Sequence, residues 1–112
     1  MPVLQITTNV KSQNTAELAS KASSLTADVL GKPESYVMVN IQTEASMTFA
    51  GTPDPCAFLM LKSLGLNEAE TSKYSEALCV FIEQHLAVPP SRTYIEFASP
   101  ERHMFGWNSG TF

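Results

Sequence analysis

The chain starts Met1-Pro2-Val3-Leu4-Gln5-Ile6, and its second residue carries the most distinctive chemistry. Removal of Met1 would leave Pro2 with a free secondary amine, a group no internal residue supplies. In an apolar pocket such an amine acts as a general base near neutral pH. Burial disfavours its charged form, and a neighbouring cation does the same. If Met1 stays, the Pro2 nitrogen is an amide without basicity. The other reactive side chains form no comparable set. Cys56 and Cys79 are the only cysteines, with 22 residues between positions 56 and 79. That spacing fits neither metal ligation nor a disulfide framework, so both read as buried thiols. His85 falls late in a helical stretch, where a dipole contact is the ordinary role. Neither it nor His103 has partner ligands nearby in sequence, so no metal and no cofactor is expected.

The elements that must position Pro2 follow from pattern. Val3 to Thr7 reads as a short strand. Asn14-Thr15-Ala16-Glu17 reads as a capping box, with Asn14 as N-cap and Glu17 three positions on. Leu18, Ala22, Leu25 and Val29 then recur at helical spacing. Gly31 ends that helix and Pro33 prevents its continuation. Tyr36 to Ile41 is rich in strand formers. Ala50 to Pro55 is a turn. Cys56 to Leu64 is a nearly continuous apolar run, of a length that suits a strand buried on both faces. Asn67-Glu68-Ala69-Glu70 reads as a second capping box, followed by an amphipathic helix through Tyr74, Leu78, Phe81, Ile82 and Leu86. Pro89 and Pro90 close it, and Thr93 to Ala98 is a further strand.

The order is β-α-β twice over, and the two halves exit their helices in the same way: Lys32-Pro33-Glu34-Ser35-Tyr36 against Pro89-Pro90-Ser91-Arg92-Thr93. Each half should form a parallel βαβ unit. Two such units predict an α+β fold: a four-stranded mixed sheet with two helices on one face. The chain of 112 residues makes one domain, residues 1–112. Both sheet faces carry apolar groups, since Val39 and Ile41 alternate with Met38, and Leu59 and Leu61 with Phe58 and Met60. A face left open by the helices would form too large an apolar patch, and copies of the same chain are the simplest cover.

Composition agrees. Charged residues are only 16% of the chain, below the usual ~25%, as expected if surface is hidden in an oligomer. The net charge is −4, and the seven Lys and Arg are scattered, so nucleic acid is not an expected partner. Residues 1–10 lack the basic and apolar regions of a signal peptide, and no apolar run approaches the ~20 residues of a membrane span. A cytoplasmic protein is expected.

Met1-Pro2, Thr8-Asn9-Val10, Gly31-Lys32-Pro33, Phe49-Ala50-Gly51, Pro55-Cys56-Ala57, Ser63-Leu64-Gly65, Tyr94-Ile95, Gly106-Trp107-Asn108 and Thr111-Phe112 occur in a shared order and spacing over nearly the whole chain. In these the chain resembles the macrophage migration inhibitory factor family of the tautomerase superfamily. The resemblance implies a homotrimer whose three sheets enclose a central channel, with sites between neighbouring protomers. It implies a keto–enol tautomerase acting on phenylpyruvate-like aryl α-keto acids or their enols, with Pro2 as base and then acid. Lys32 would hold the substrate carboxylate, and the backbone of Leu64 would add a hydrogen bond. Tyr94 would come from the adjacent protomer. Tyr36, Phe105 and Trp107 would form an aromatic wall. The resemblance equally admits a cytokine-like binding protein with a cell-surface receptor, released without a signal peptide.

Taken by themselves, the same residues have plainer readings. Lys32 suits a helix C-terminal cation. Tyr36 and Tyr94 occupy matching places in the two halves and suit core or interface packing, as does Trp107. Two positions depart from the family. Well-known members carry Asn where this chain has Glu96. A carboxylate on the pocket side would repel an anionic substrate and favour protonated Pro2, opposing Lys32. Leu59 stands where the migration factor has the second cysteine of a Cys-x-x-Cys element, so thiol–disulfide oxidoreductase activity is not expected.

Overall fold

The computed structural model describes residues 1–112. Strand β1 (Val3–Thr8) leads into helix α1 (Thr15–Leu30), strand β2 (Met38–Gln42) and strand β3 (Ala57–Lys62). Helix α2 (Thr71–Leu86) and strand β4 (Thr93–Ala98) follow, then a short hairpin of β5 (Gly106–Trp107) and β6 (Gly110–Thr111). The main sheet has the order β2-β1-β3-β4. Strands β1 and β2 are parallel, as are β3 and β4, and the central pair β1/β3 is antiparallel. The two βαβ halves thus meet along that central pair, in the mixed sheet expected from the repeat. The terminal hairpin is an addition that pattern did not reveal, because each of its strands is only two residues long.

Local chemistry explains the first helix. The Asn14 side chain accepts the Glu17 N–H at 3.0 Å, and the Asn14 side-chain amide donates to the Glu17 carboxylate at 3.3 Å. Gly31 ends the helix at φ 63°, in the left-handed region that glycine enters without steric cost. The second helix ends on Ala87 at φ 55°, so the matching position in the second half tolerates a side chain.

Four expectations need correction. Tyr36 is not in a strand; it ends a tight 3-10 turn over Glu34–Tyr36, its N–H donating to the Pro33 carbonyl at 3.2 Å. Pairing with β1 starts only at Met38, whose N–H donates to the Pro2 carbonyl at 3.0 Å. Asn67 does not cap the second helix. Its side chain takes the Ala69 N–H at 3.1 Å and opens a 3-10 turn over Glu68–Glu70, and the helix starts at Thr71. Finally, β3 is buried on one face of the chain only. Ala57, Leu59 and Leu61 are buried, while Phe58 is 38% exposed. Cys79 is also only half-buried, whereas Cys56 is fully enclosed.

The core lies between sheet and helices. Leu4 and Ile6 from β1, Leu59 and Leu61 from β3, and Leu78 and Ile82 from α2 are all essentially inaccessible. Each contributes on the order of 1.5–3 kcal/mol by leaving water. The opposite sheet face is open. Met38, Phe58 and Tyr94 are exposed there, and Gln5, Asn40, Gln42 and Glu96 interleave with them. That face is more polar than the apolar alternation predicts.

Candidate functional site

Strand β1 presents its first residues at one end of the sheet, and two adjoining clefts open there. The first, about 290 Å³, is mainly apolar. Its lining includes Pro2, Tyr36, Met38, Phe105, Trp107 and Phe112. The second, about 420 Å³, is lined among others by Lys32, Pro33, Leu64, Gly65 and Arg102. Met1, Tyr36 and Phe112 line both, so the two form one continuous depression around the N-terminus.

Each side chain reaches the depression for a local reason. Gly31 turns the chain out of α1 and leaves Lys32 at the mouth. The Lys32 ammonium donates to Ser63 Oγ at 2.9 Å and to the Leu64 carbonyl. These bonds tie the exit of α1 to the end of β3. Lys32 is therefore more than a helix-terminal cation. The Leu64 N–H makes no hydrogen bond within the chain, so it is an open donor beside a cation. The 3-10 turn excluded from the strand is what directs Tyr36 toward the cleft.

The tail hairpin supplies the aromatic wall. Trp107 stacks on Phe112 with ring centroids 5.7 Å apart and an 11° interplanar angle. Tyr36 meets Trp107 edge-on at 6.3 Å, and Phe105 lies 5.8 Å from Phe112. The Phe112 N–H donates to the Phe105 carbonyl, and Arg102 Nε donates to the Phe112 carbonyl oxygen at 3.2 Å. An apolar slot with the Lys32 ammonium and a free N–H beside it can hold a flat ring bearing a carboxylate.

The electrostatics of the N-terminus match a base. The terminal amine of Met1 is held below its ordinary value of 8.0, first by desolvation and then by the charge of Lys32. Both causes favour the neutral, proton-accepting form.

Two expected site residues lie elsewhere. Tyr94 is the second residue of β4, in register with Phe58 and through it with Thr7. It stands at the opposite end of the sheet from Pro2, two strands away, a separation of roughly 15–20 Å. Glu96 is level with Met60 and Gln5, also two strands from β1. Both are exposed on the helix-free face. Within one chain, Pro2, Lys32, Leu64, Tyr36, Phe105 and Trp107 converge, while Tyr94 and Glu96 do not. Arg102 and Phe112 are among the lining residues that sequence reasoning gave no site role. The density of aromatic residues after position 104 was a signal for Phe112. Nothing local marks Arg102, because its place depends on how the tail folds back.

No helix is long and apolar enough to cross a membrane. The fold and the whole length of the chain have counterparts. A homologue of macrophage migration inhibitory factor from Brugia malayi is 38% identical over 115 residues, covering 100% of this chain and 99% of its own. The factor from Rattus norvegicus is 35% identical over 114 residues, with coverage of 100% and 99%. The crystal structure of the Prochlorococcus marinus homologue superposes with a TM-score of 0.93 at 38% identity, over 98% of both chains. That of Trichinella spiralis does so with a TM-score of 0.93 at 32% identity, over 98% of this chain and 99% of the other. The family description Macrophage migration inhibitory factor (MIF) matches residues 1–112, and the chain belongs to that family.

Proposed function

We propose that this protein is a keto–enol tautomerase for phenylpyruvate-like α-keto acids, with Pro2 as its proton shuttle once Met1 is removed. Family membership supports a tautomerase-superfamily or cytokine-like function. The observation that carries the enzymatic reading is the convergence of Pro2, Lys32 and an aromatic slot in one depression.

In this reading the Lys32 ammonium and the Leu64 N–H hold the substrate carboxylate. Tyr36, Phe105 and Trp107 hold its ring. The neutral Pro2 amine takes the enolic hydroxyl proton as the carbon–oxygen double bond forms. The resulting ammonium then delivers a proton to the adjacent carbon, which restores the amine. Tyr94 stands too far from Pro2 to act within the chain, so it acts in the site of a neighbour, in a homotrimer joined through the helix-free faces and sheet edges. Glu96 comes with it and weakens both substrate binding and amine deprotonation.

The test compares phenylpyruvate enol–keto conversion by the chain with a mass-verified Pro2 terminus, by Pro2→Gly, and by a form retaining Met1. Activity only in the first supports the assignment; equal rates in all three would remove it. The Glu96 substitution leaves a second reading, a cytokine-like binding protein with residual catalysis. Cell-surface receptor binding that survives Pro2→Gly in an inactive enzyme would favour that reading.

A further inference from the structure

The chain is acidic, with eleven Asp and Glu against seven Lys and Arg, yet the Pro2 end of the sheet departs from that balance. The two clefts there adjoin a third of about 140 Å³ on the helix-free face, through Val3 and Phe105. Lys62 lines that third cleft. Across all three clefts the lining includes Lys32, Lys62 and Arg102 and not one Asp or Glu side chain. Three of the seven cations therefore gather around the N-terminus while every carboxylate side chain of the chain stays outside. If a neighbour contributes Glu96, the balance there is still positive.

The three cations are not equivalent. Lys32 is engaged by Ser63 Oγ and the Leu64 carbonyl. Arg102 shares its cleft but uses only Nε, toward Phe112. That bond fixes the guanidinium to the tail. Its two terminal nitrogens make no hydrogen bond and no ion pair with an Asp or Glu side chain, while Nε holds the main-chain oxygen of Phe112, the last residue of the sequence. They form the flat, forked donor pair that suits a carboxylate.

We propose that Arg102 is a specificity residue that binds a second carboxylate, so that the favoured ligands of this site are dianionic aryl acids rather than monoanionic ones. The first carboxylate goes to Lys32 and the Leu64 N–H, the aromatic body to the Tyr36–Trp107–Phe112 wall, and the second carboxylate to Arg102. This rests on the Proposed function only for where the first carboxylate and the ring lie; the binding itself needs no turnover.

The test therefore uses two unreactive probes, 3-phenylpropionate and 3-(4-carboxyphenyl)propionate, titrated by calorimetry into the Pro2-terminated protein. The indole N–H resonance of Trp107, the only tryptophan, reports whether each probe enters the cleft. The dianion should bind roughly 3–10-fold more tightly at low salt, the range expected for a charge-assisted pair at an exposed arginine. The advantage should shrink as salt rises. Arg102→Gln should bring the ratio close to one, and Arg102→Lys should keep part of it. Equal affinity for the two probes overturns the inference. So does a ratio that survives Arg102→Gln, or one that Arg102→Lys abolishes as fully as Arg102→Gln, since the effect would then come from tail packing. Absence of tautomerase activity with the ratio intact would remove the catalytic reading and leave this one standing.

Discussion

The two ends of the sheet are built on opposite principles. At the Tyr94 end the side chains of Thr8, Asn9 and Arg92 are all engaged. Thr8 Oγ1 donates to the Cys56 carbonyl at 2.8 Å, and the Asn9 side chain both donates to Pro53 and Asp54 and accepts the Cys56 N–H. Arg92 donates to four carbonyls, those of Phe49, Thr52, Asp54 and Pro55, while its guanidinium lies 5.1 Å from the Phe49 ring centroid. Phe49 in turn lies 4.9 Å from the Tyr94 ring. At the Pro2 end the Leu64 N–H and the outer nitrogens of Arg102 are left open, and the aromatic rings that pack on one another also line an open cleft. A closed network stiffens the loop from 49 to 55 and presents Tyr94 outward. An open one leaves donors for a ligand. In the proposed reading the two ends complete one another between chains.

The largest effect expected from breaking this contrast is at Pro2. Pro2→Gly should cut kcat/KM for phenylpyruvate by about 10²-fold or more, as loss of a positioned general base does, while the thermal midpoint barely moves. Next comes the clamp. Arg92→Ala should destabilise the fold by about 2–4 kcal/mol, because four carbonyls lose charge-assisted partners together. Urea unfolding measures this, and a change below the error of the fit would mean that the clamp is redundant. A smaller effect is expected at Lys32. Lys32→Met should cost about 10-fold in kcat/KM through lost carboxylate binding. It should also move the acid limb of the pH–rate profile to higher pH. The sign follows from the charge: Lys32 lowers the pKa of the Met1 amine at this end of the chain, and a positive charge acts in the same direction on a Pro2 amine, so its removal means that the neutral base is reached only at higher pH. A limb that stays put would show that the titrating group is not near Lys32. The smallest change is Glu96→Asn, expected to raise kcat/KM a few-fold by relieving repulsion; no change or a fall would place Glu96 outside the pocket.

The same contrast explains what sequence could and could not reveal. The first helix was legible because its signals act over three or four residues: Asn14 and Glu17 bond each other, and Gly31 needs only its own backbone. The repeat of βαβ order was legible from the alternation of strand and helix patterns and from the similar Pro-containing exits after each helix. Asn67 misled because a side-chain oxygen accepting a nearby N–H opens a 3-10 turn as readily as an α-helix. Tyr36 misled because its strand-forming character was outweighed by the turn that Pro33 starts. At the site, Pro2 and Lys32 could be named from chemistry and resemblance. Arg102 could not, since only the fold of the tail carries it beside Lys32. The four-carbonyl clamp of Arg92 was equally hidden, because its acceptors are backbone groups between 37 and 43 positions away in the chain, and carbonyls leave no trace in the residue types.

The central claim is that the two ends of the sheet meet between chains. It can be tested by mixing two crippled proteins. Pro2→Gly keeps Tyr94, and Tyr94→Ala keeps Pro2. Unfolded together in equal amounts and refolded, they should form mixed trimers in which about a quarter of the sites hold both intact residues. Phenylpyruvate turnover should then rise several-fold above the average of the two parents refolded separately. Turnover equal to that average would contradict the account, because Pro2 and Tyr94 would then not share a site between chains.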